Sequence, residues 1–326
     1  MDVMMQAVRV HQFGGPEVLV LESISRPKPA AGEVLLQVKA AGVGPWDAWI
    51  RAGRSALPQP LPLTVGSDVS GIIASLGPGV SQFAIGEEVF GVTNARFTGG
   101  YAEYAVASAA MLARKPATLS FLEAAAVPVV ACTAWQMVFD RGQTDATTRI
   151  LIHGAAGNVG GYAVQFARGV AREVIATALP DDMRYVQSLG ADRVIDGLAT
   201  RFDEVLSDVD VVLDTVGGKT QERSFSVLKR AGILVSSVSR PDPQKAAERL
   251  VRGVFFLVEV TSARLERIGQ LFDTGKLIAT VGDVLPLADF RTAHEMLDGK
   301  AHKRGKIVLA VDGVRPPFPG PVNAEE

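Results

Sequence analysis

Residues 149–161 read RILIHGAAGNVGG, and this stretch decides the fold. An apolar, β-branched run gives way to closely spaced glycines, and Val159, Tyr162 and Phe166 then recur at helical spacing, which predicts a strand, a tight turn and a helix. Glycine permits a positive φ and a close approach of the backbone, and the first N–H groups of a helix have no partner within it. The turn can therefore hold a pyrophosphate, although any tight strand-to-helix turn uses glycine.

Further short apolar runs follow the glycine turn, and several are separated by helical stretches. They lie at residues 173–178, 191–196, 209–214, 232–238 and 254–258. Strands that alternate with helices indicate a parallel sheet covered on both faces. The sequence thus predicts an α/β fold with a doubly wound parallel sheet of the Rossmann kind.

A segment of different character precedes this half. Residues 1–124 are rich in glycine, proline and short β-type runs such as 33–38 and 69–73, which indicates a mostly antiparallel β domain. Residues 266–312 return to that character. We therefore expect a dinucleotide-binding domain over residues 125–265, flanked by two parts of one β-rich domain.

Composition limits the partners and the compartment. The chain has 326 residues, of which 48% are hydrophobic, and this suits two domains with cores of their own. A net charge of −2, with no basic block, predicts no binding to nucleic acid or to a membrane. A single cysteine and the lack of a signal-like or membrane-spanning run predict a cytoplasmic protein. The prolines of residues 313–326 predict a flexible tail.

Several motifs occur in an order that resembles a known family. They are residues 14–19, 41–47, 66–71, 86–91, 99–104, the glycine turn, 188–192 and 304–309. Together they resemble the quinone oxidoreductase (zeta-crystallin-like) branch of the medium-chain dehydrogenase/reductase superfamily. The resemblance implies a GroES-like catalytic domain, a Rossmann domain, a cleft between them and a homo-oligomer, here expected to be a homodimer.

Zinc alcohol dehydrogenases of that superfamily resemble the chain in outline but differ at their ligand positions. They place a cysteine where Gly44 stands and a His-Glu pair where Ser67 and Asp68 stand, and the alignment puts Val129 at the remaining position. A catalytic zinc needs about three ligands from Cys, His and carboxylate side chains. We therefore expect no metal, and we interpret the nearby Cys132 as a small buried residue.

The cofactor choice depends on the end of the second predicted strand of the parallel sheet. An NAD-binding fold usually carries Asp or Glu there, whereas residues 176–180 read ATALP. Arg184 follows about one helical turn later and can supply charge to a 2′-phosphate, so NADPH is favoured over NADH. Asp181 and Asp182 would oppose a phosphate unless they cap the next helix.

The cofactor-binding residues come from the turn, from the resemblance and from the ends of strands, where ligands collect in such sheets. The apolar ones among them are alternatively core residues, and His153 is expected to have a packing and hydrogen-bonding role. The predicted set is Gly154, Ala155, Ala156, Gly157, Asn158, Val159, Gly160, Thr133, Thr177, Arg184, Val216, Val238, Phe256 and Leu257.

The acceptor side shows a departure from the family. Relatives often carry Asn-Pro and a Tyr four residues after the proline, whereas this chain has Gly44-Pro45 and Trp49. Trp46 and Trp49 are candidates for a substrate wall, since rigid aromatic rings suit flat conjugated molecules, or else they belong to the core. Asp47 between them either orients the cofactor or caps a short helix.

Without a Lewis acid, a site is poorly equipped to oxidise an alcohol, but an activated C=C bond or a quinone accepts hydride more readily. A few hydrogen-bond donors then suffice to stabilise the developing oxyanion. The sequence therefore predicts an NADPH-dependent, zinc-independent oxidoreductase acting on quinones or α,β-unsaturated carbonyl compounds. The alternatives are a nucleotide-binding protein with little catalytic activity, acting as a sensor or structural partner, and an enoyl-thioester reductase.

Overall fold

The computed structural model describes residues 3–311, and the predicted tail at 313–326 lies outside the described residues. Two compact units divide the chain. Unit 1 comprises Met1–Pro128 and Val260–Glu326, and unit 2 comprises Val129–Glu259. Within the described range, no helix is both long and apolar enough to cross a membrane.

The regular elements alternate along the chain as follows. The strands are β1 (Met4–Val10), β2 (Leu19–Ser25), β3 (Glu33–Val43), β4 (Leu63–Thr64), β5 (Asp68–Leu76), β6 (Glu88–Val92), β7 (Tyr104–Ser108), β8 (Leu112–Arg114), β9 (Arg149–His153), β10 (Glu173–Ala178), β11 (Arg193–Asp196), β12 (Val209–Asp214), β13 (Leu228–Ser236), β14 (Arg252–Phe255), β15 (Val281–Pro286) and β16 (Lys306–Ala310). The α-helices are α1 (Pro45–Arg51), α2 (Phe121–Ala125), α3 (Pro128–Trp135), α4 (Asn158–Ala167), α5 (Met183–Leu189), α6 (Phe202–Val205), α7 (Gly218–Val227), α8 (Pro243–Arg249), α9 (Ser262–Asp273) and α10 (Phe290–Leu297). A π-helical stretch, Gln136–Arg141, continues α3, and short 3-10 turns occupy Pro16–Val18, Ala109–Met111, Pro180–Asp182 and Leu287–Asp289.

Unit 2 is built on a six-stranded sheet in the order β11-β10-β9-β12-β13-β14, with every neighbouring pair parallel. This is the strand order of a doubly wound Rossmann sheet, in which the first strand lies beside the fourth. The central strands β9 and β12 are almost continuously apolar because helices cover both faces of a parallel sheet. The predicted α/β class is confirmed.

Unit 1 contains a seven-stranded sheet and a three-stranded sheet. The larger follows the order β15-β16-β3-β5-β6-β8 with β7 on β3, and the smaller is β2-β1-β4. The pairs are antiparallel as expected, apart from β15 and β16, which run parallel. Strand β3 pairs with β16, β5 and β7 along its eleven residues, so it forms the centre of this unit.

The unit boundaries differ from the predicted ones by a few residues. The first falls after Pro128 rather than between 124 and 125, because α2 packs on Ala40 and Val308 of the unit 1 sheet. The second falls after Glu259 rather than between 265 and 266. The Ser262 hydroxyl at the start of α9 donates to the carbonyl oxygen of Ala109, which ties that helix to unit 1.

Candidate functional site

The glycine turn of unit 2 forms as the sequence predicts. Strand β9 ends at His153, Gly154 adopts a φ of +68°, and α4 begins at Asn158. The turn uses two of its own N–H groups: Ala155 N–H donates to the Thr177 carbonyl oxygen over 3.2 Å, and Gly157 N–H to that of Gly154 over 3.0 Å. Donors for a ligand must therefore come from the first turn of α4, whose N–H groups lie before its hydrogen-bond ladder.

The three glycines of the turn serve different purposes. A Cβ on Gly154 would overlap the Thr215 hydroxyl, and a Cβ on Gly160 would overlap the Gly154 carbonyl and lie 2.8 Å from the Ala155 Cα. The fold itself requires these two. Gly157 is exposed, and its Cβ would lie 3.2 Å from one carbonyl oxygen, so packing hardly constrains it.

A dinucleotide fits this turn. The bare Gly157 surface beside the start of a ten-residue helix leaves room for a pyrophosphate, and the helix N-terminus attracts negative charge. Ala156, Asn158 and Val159 border the same turn and are partly exposed. Residues of the turn would hold the phosphates, and the nicotinamide group would supply the hydride.

His153, at the end of β9, is fully buried. Its ring nitrogens lie 2.9 Å from the Thr177 hydroxyl and 3.0 Å from the Ser224 hydroxyl, and its ring packs on Phe202. Burial, opposed in part by the charge of Asp214, lowers the pKa of His153 to about 4. The imidazole is thus a neutral link between strands, which confirms the packing and hydrogen-bonding role.

The predicted 2′-phosphate region lies at the end of β10. Thr177 is buried, and its hydroxyl is engaged with His153. Arg184 is exposed on α5, and Asp181 is exposed in the short turn before that helix. Asp182 occupies the N-cap position of α5 without making the side-chain capping bond, so the capping interpretation holds in position only.

Sequence reasoning missed Asp214, which organises the ends of β12 and β13. Its Oδ1 accepts hydrogen bonds from the backbone of Val216 and Gly217, over 3.0 and 2.8 Å. Its Oδ2 accepts from the Gln221 amide and the Ser236 hydroxyl, over 2.9 and 3.0 Å. An aspartate that closes a buried apolar strand was the available signal.

Four more predicted cofactor residues lie where the strands of unit 2 end or in its first helix. Val216, Val238 and Leu257 are 54%, 43% and 59% exposed and follow β12, β13 and β14, so they are not core residues. Phe256 is buried. The exposed positions stay candidates for contacts with a ligand.

Thr133, the remaining candidate of unit 2, lies inside α3. Its side chain is buried, and its hydroxyl donates to the carbonyl oxygen of Val129 over 2.7 Å. The hydroxyl proton is thus used within the helix. A cofactor contact through Thr133 would have to use the hydroxyl oxygen as an acceptor.

In unit 1, Asp47 is completely buried at the start of α1. Its Oδ2 accepts hydrogen bonds from Gly44 N–H over 2.8 Å and from the Tyr101 hydroxyl over 2.9 Å. Burial raises the pKa of Asp47 to about 7, although both hydrogen bonds and the charge of Lys306 oppose the rise. The helix-capping interpretation of Asp47 is therefore confirmed.

Trp46 belongs to a second polar group in unit 1. Its indole N–H donates to the Ser67 hydroxyl over 3.1 Å, and the Lys306 ammonium lies 4.1 Å from the ring centroid. Lys306 also pairs with Asp68 over 3.1 Å, and both side chains are buried. The role of Lys306 was not foreseen, because a lysine at the start of a predicted strand suggests solvent exposure.

The two tryptophans differ in their surroundings. Trp46 is partly buried and packs against the unit 1 core that includes Val43 and Tyr101. Trp49 is 50% exposed, so the core interpretation is wrong for Trp49. It lies on the outer side of α1, because its neighbours Ala48 and Ile50 fill the buried side.

A zinc ion does not fit the positions that would hold it. Gly44 has no donor atom, the Ser67 hydroxyl receives the Trp46 N–H, and Asp68 is paired with Lys306. Among the residues that the structure describes, no three His, Cys, Asp or Glu side chains are grouped to hold a metal ion. No step of the chemistry is derived through zinc here.

A cavity of about 580 Å³ lies elsewhere in unit 1, lined by residues that include Arg9, Gln59, Asn94 and Arg96. None of the predicted site residues, all within the described range, lines it. Its walls come from β1, β2 and the loops around β4 rather than from the start of α1. It therefore adds nothing to the candidate site.

Two family descriptions match parts of the chain. "Alcohol dehydrogenase GroES-like domain" matches residues 30–117, and "Zinc-binding dehydrogenase" matches residues 189–309. The first falls in unit 1, and the second begins in unit 2 and ends in the returning part of unit 1. The matches agree with the two kinds of sheet described above.

Individual relatives extend the similarity over nearly the whole chain. A quinone oxidoreductase of Lama guanicoe is 33% identical, covering 94% of this chain and 97% of its own. The structure of the quinone oxidoreductase from Coxiella burnetii has a TM-score of 0.87 and 31% identity, covering 95% of this chain and all of that one. A cobalt- and zinc-bound thermostable alcohol dehydrogenase from Pyrobaculum aerophilum, 30% identical, has a TM-score of 0.83 and covers 94% of this chain and all of that one.

Proposed function

Since the chain belongs to the quinone oxidoreductase (zeta-crystallin-like) family of the medium-chain dehydrogenase/reductase superfamily, we propose that it reduces quinones or α,β-unsaturated carbonyl compounds with NADPH. Membership makes the chain an oxidoreductase with a nicotinamide cofactor. The finer assignment is supported above all by one observation: the zinc-ligand positions are replaced by an internally paired, aromatic cluster.

Cofactor binding is assigned to the glycine turn of unit 2. Gly157 leaves the backbone uncovered, and the first N–H groups of α4 face the phosphates. Asp214 holds Val216 and Gly217 in place at the end of β12, and Ser236 at the end of β13. These contacts preorganise two strand ends, so little ordering is needed when the cofactor binds.

The preference for NADPH rests on the charge at the end of β10. That strand ends in alanine, so no carboxylate there holds the ribose hydroxyls or repels a phosphate. Arg184 on α5 is exposed and available to pair with a 2′-phosphate. Asp181 is exposed as well, and the proposal requires that it point away from the phosphate.

The choice of acceptor follows from what unit 1 offers. Its polar groups are committed to one another: Asp47 to Gly44 and Tyr101, and Lys306 to Asp68. Nothing in this set is placed to activate an isolated alcohol. A quinone or enone needs less help because its own conjugation accepts the charge, and we therefore propose a zinc-independent reaction.

A nucleotide-binding protein with little catalysis is the second candidate. It is favoured by the same internal pairing, since the buried Asp47 and Lys306 are both held within the protein. Binding of NADPH without turnover of any acceptor would distinguish it. An enoyl-thioester reductase is a narrower version of the first proposal and would show itself by activity on enoyl thioesters.

Two further features are part of the proposal. The balanced charge and the single cysteine of the sequence favour a cytoplasmic enzyme. The family resemblance favours a homodimer. Size-exclusion chromatography with light scattering measures the second directly, and a monomeric mass would contradict it.

The testing experiment measures cofactor oxidation against a panel of quinones, enones, enoyl thioesters and simple aldehydes, each with NADPH and NADH. Alcohol oxidation with NADP⁺ is measured in parallel. We expect NADPH-dependent reduction of quinones or enones and no oxidation of simple alcohols. Robust alcohol oxidation without any quinone or enone reduction would contradict the proposal.

A further inference from the structure

Gly44 has an ordinary backbone conformation, so its identity needs another explanation. Its φ of −137° and ψ of 162° are extended values that any residue adopts. A Cβ at this position, however, would lie 2.5 Å from both Cζ2 and Cζ3 of Trp46. The glycine is therefore required by one neighbouring side chain, whose six-membered ring lies where a side chain of residue 44 would be.

Three contacts hold that indole in place. Its N–H donates to the buried Ser67 hydroxyl over 3.1 Å, and the Lys306 ammonium lies 4.1 Å from the ring centroid. Lys306 is itself fixed by Asp68, in a pair that is 1% and 0% exposed. An ammonium over the face of tryptophan contributes about 0.5–2 kcal/mol, so the ring does not swing away at little cost.

The result is a surface of unusual chemistry at the start of α1. The polar atoms nearby are engaged, because Gly44 N–H binds Asp47 and the indole N–H binds Ser67. The partly exposed part of Trp46 is a flat aromatic surface on a rigid support. Such a surface recognises a flat, electron-poor ring by stacking.

We propose that Gly44 and Trp46 form one specificity element, in which the indole in the place of a residue-44 side chain sets the width of the flat, conjugated acceptor that the protein binds. The inference rests on the proposed function, since it names the residues that select the acceptor. A side chain at position 44 would push the ring outward, and the space for wide acceptors would shrink. Without the indole, the same side chain would have little effect.

A double-mutant cycle tests this coupling. The proteins are wild type, Gly44→Ala, Trp46→Val and the double variant, with Gly44→Ala also made in a Trp49→Val background. Trp49 lies on the same helix, and its exposed ring is a matched control for the loss of an indole. Gly269→Ala in α9, where a Cβ would lie 3.4 Å from Pro116, controls for a Gly-to-Ala change in unit 1.

The readout is kcat/KM for one-ring, two-ring and three-ring quinones, with thermal unfolding midpoints alongside. We expect Gly44→Ala to lower the three-ring to one-ring preference about fivefold or more in the wild-type and Trp49→Val backgrounds, and to change it less than about twofold in the Trp46→Val background. Gly269→Ala leaves the preference unchanged. Equal effects of Gly44→Ala in all backgrounds would overturn the inference, as would the absence of any effect.

The failure of the proposed function has a different signature. If the wild type turns over no quinone, the proposed function is wrong, and the same ratios are then measured on the equilibrium binding of the quinones by calorimetry. Binding that depends on the Gly44 and Trp46 pair in the expected way supports the specificity element alone. Binding that ignores the pair, or no binding of any quinone, overturns it.

Discussion

The glycine turn of unit 2 and the start of α1 in unit 1 both depend on glycine, but for opposite reasons. Gly160 is required by main-chain atoms of its own turn, which every sequence with this strand-to-helix geometry shares. Gly44 is required by the side chain of Trp46, which is particular to this chain. The first kind of constraint preserves a fold and a cofactor site, whereas the second lets the acceptor side vary.

The strongest test of this contrast is Gly160→Val. Its Cβ would overlap the Gly154 carbonyl oxygen, and a backbone atom in a buried turn moves little. We expect a loss of about 3 kcal/mol or more in the free energy of unfolding and no cofactor binding. Thermal unfolding and cofactor titration measure both, and a stable variant with wild-type affinity would show that the turn tolerates a side chain.

Gly157→Ala separates binding from folding at the same turn. Its φ of −75° and ψ of 167° suit alanine, and one carbonyl oxygen at 3.2 Å is the close neighbour of a new Cβ. We expect stability within about 1 kcal/mol of wild type and a cofactor affinity at least about tenfold weaker, because the backbone no longer reaches the pyrophosphate. Unchanged affinity would mean that the phosphates lie elsewhere.

Arg184→Ala sharpens the account of the cofactor site. A charged hydrogen bond to the 2′-phosphate contributes about 1.5–3 kcal/mol, so we expect NADPH to bind roughly ten to a hundredfold more weakly. NADH binding serves as the internal control and should change little. If both cofactors lose affinity equally, Arg184 does not contact the 2′-phosphate.

Asp47→Asn probes the buried side of the unit 1 cluster through pH. Burial raises the pKa of Asp47 from 3.8 to about 7, so the protonated form is favoured in the folded state. Its stabilisation is complete below the unfolded pKa and is lost as the pH rises through the folded one. We therefore expect wild type to lose about 2 kcal/mol of stability relative to Asp47→Asn between about pH 5 and about pH 8.

Urea unfolding of the two proteins across that pH range provides the measurement. The two buried histidines have the opposite dependence, because burial lowers the pKa of His294 to about 3 and that of His153 to about 4. Their contribution cancels in the difference between the proteins. A difference that is flat with pH would place an ionised carboxylate at position 47.

The smallest effect on stability is expected for Trp49→Ala. The side chain is 50% exposed, so its removal should change the free energy of unfolding by less than about 1 kcal/mol. If Trp49 contacts the acceptor, KM for quinones changes while the affinity for NADPH does not. Unchanged kinetics for every acceptor would remove Trp49 from the site.

The fold was largely predictable because its signals are local. The run at residues 149–153 and the glycines after it specify a strand and a turn through backbone geometry alone, and both form as expected. The unit boundaries shifted because α2 and α9 are recruited by packing on the unit 1 sheet, which no local pattern records.

The candidate sites were predictable to different degrees. In unit 2, the ligand-facing turn coincides with its sequence motif. In unit 1, Lys306 meets Asp68 and Trp46 only after the chain has returned from unit 2, more than two hundred residues later. Such a contact depends on the pairing of β16 with β3, so it cannot be inferred from either segment separately.

The most direct test of the central claim is NADPH oxidation with a quinone by protein treated with chelator, with metal content measured on the same sample. We expect full activity in a sample that contains far less than one metal ion per chain, because the positions that would bind zinc are occupied by Gly44, Ser67 and an Asp68 paired with Lys306. Activity that is lost with the metal and restored by zinc would contradict the account.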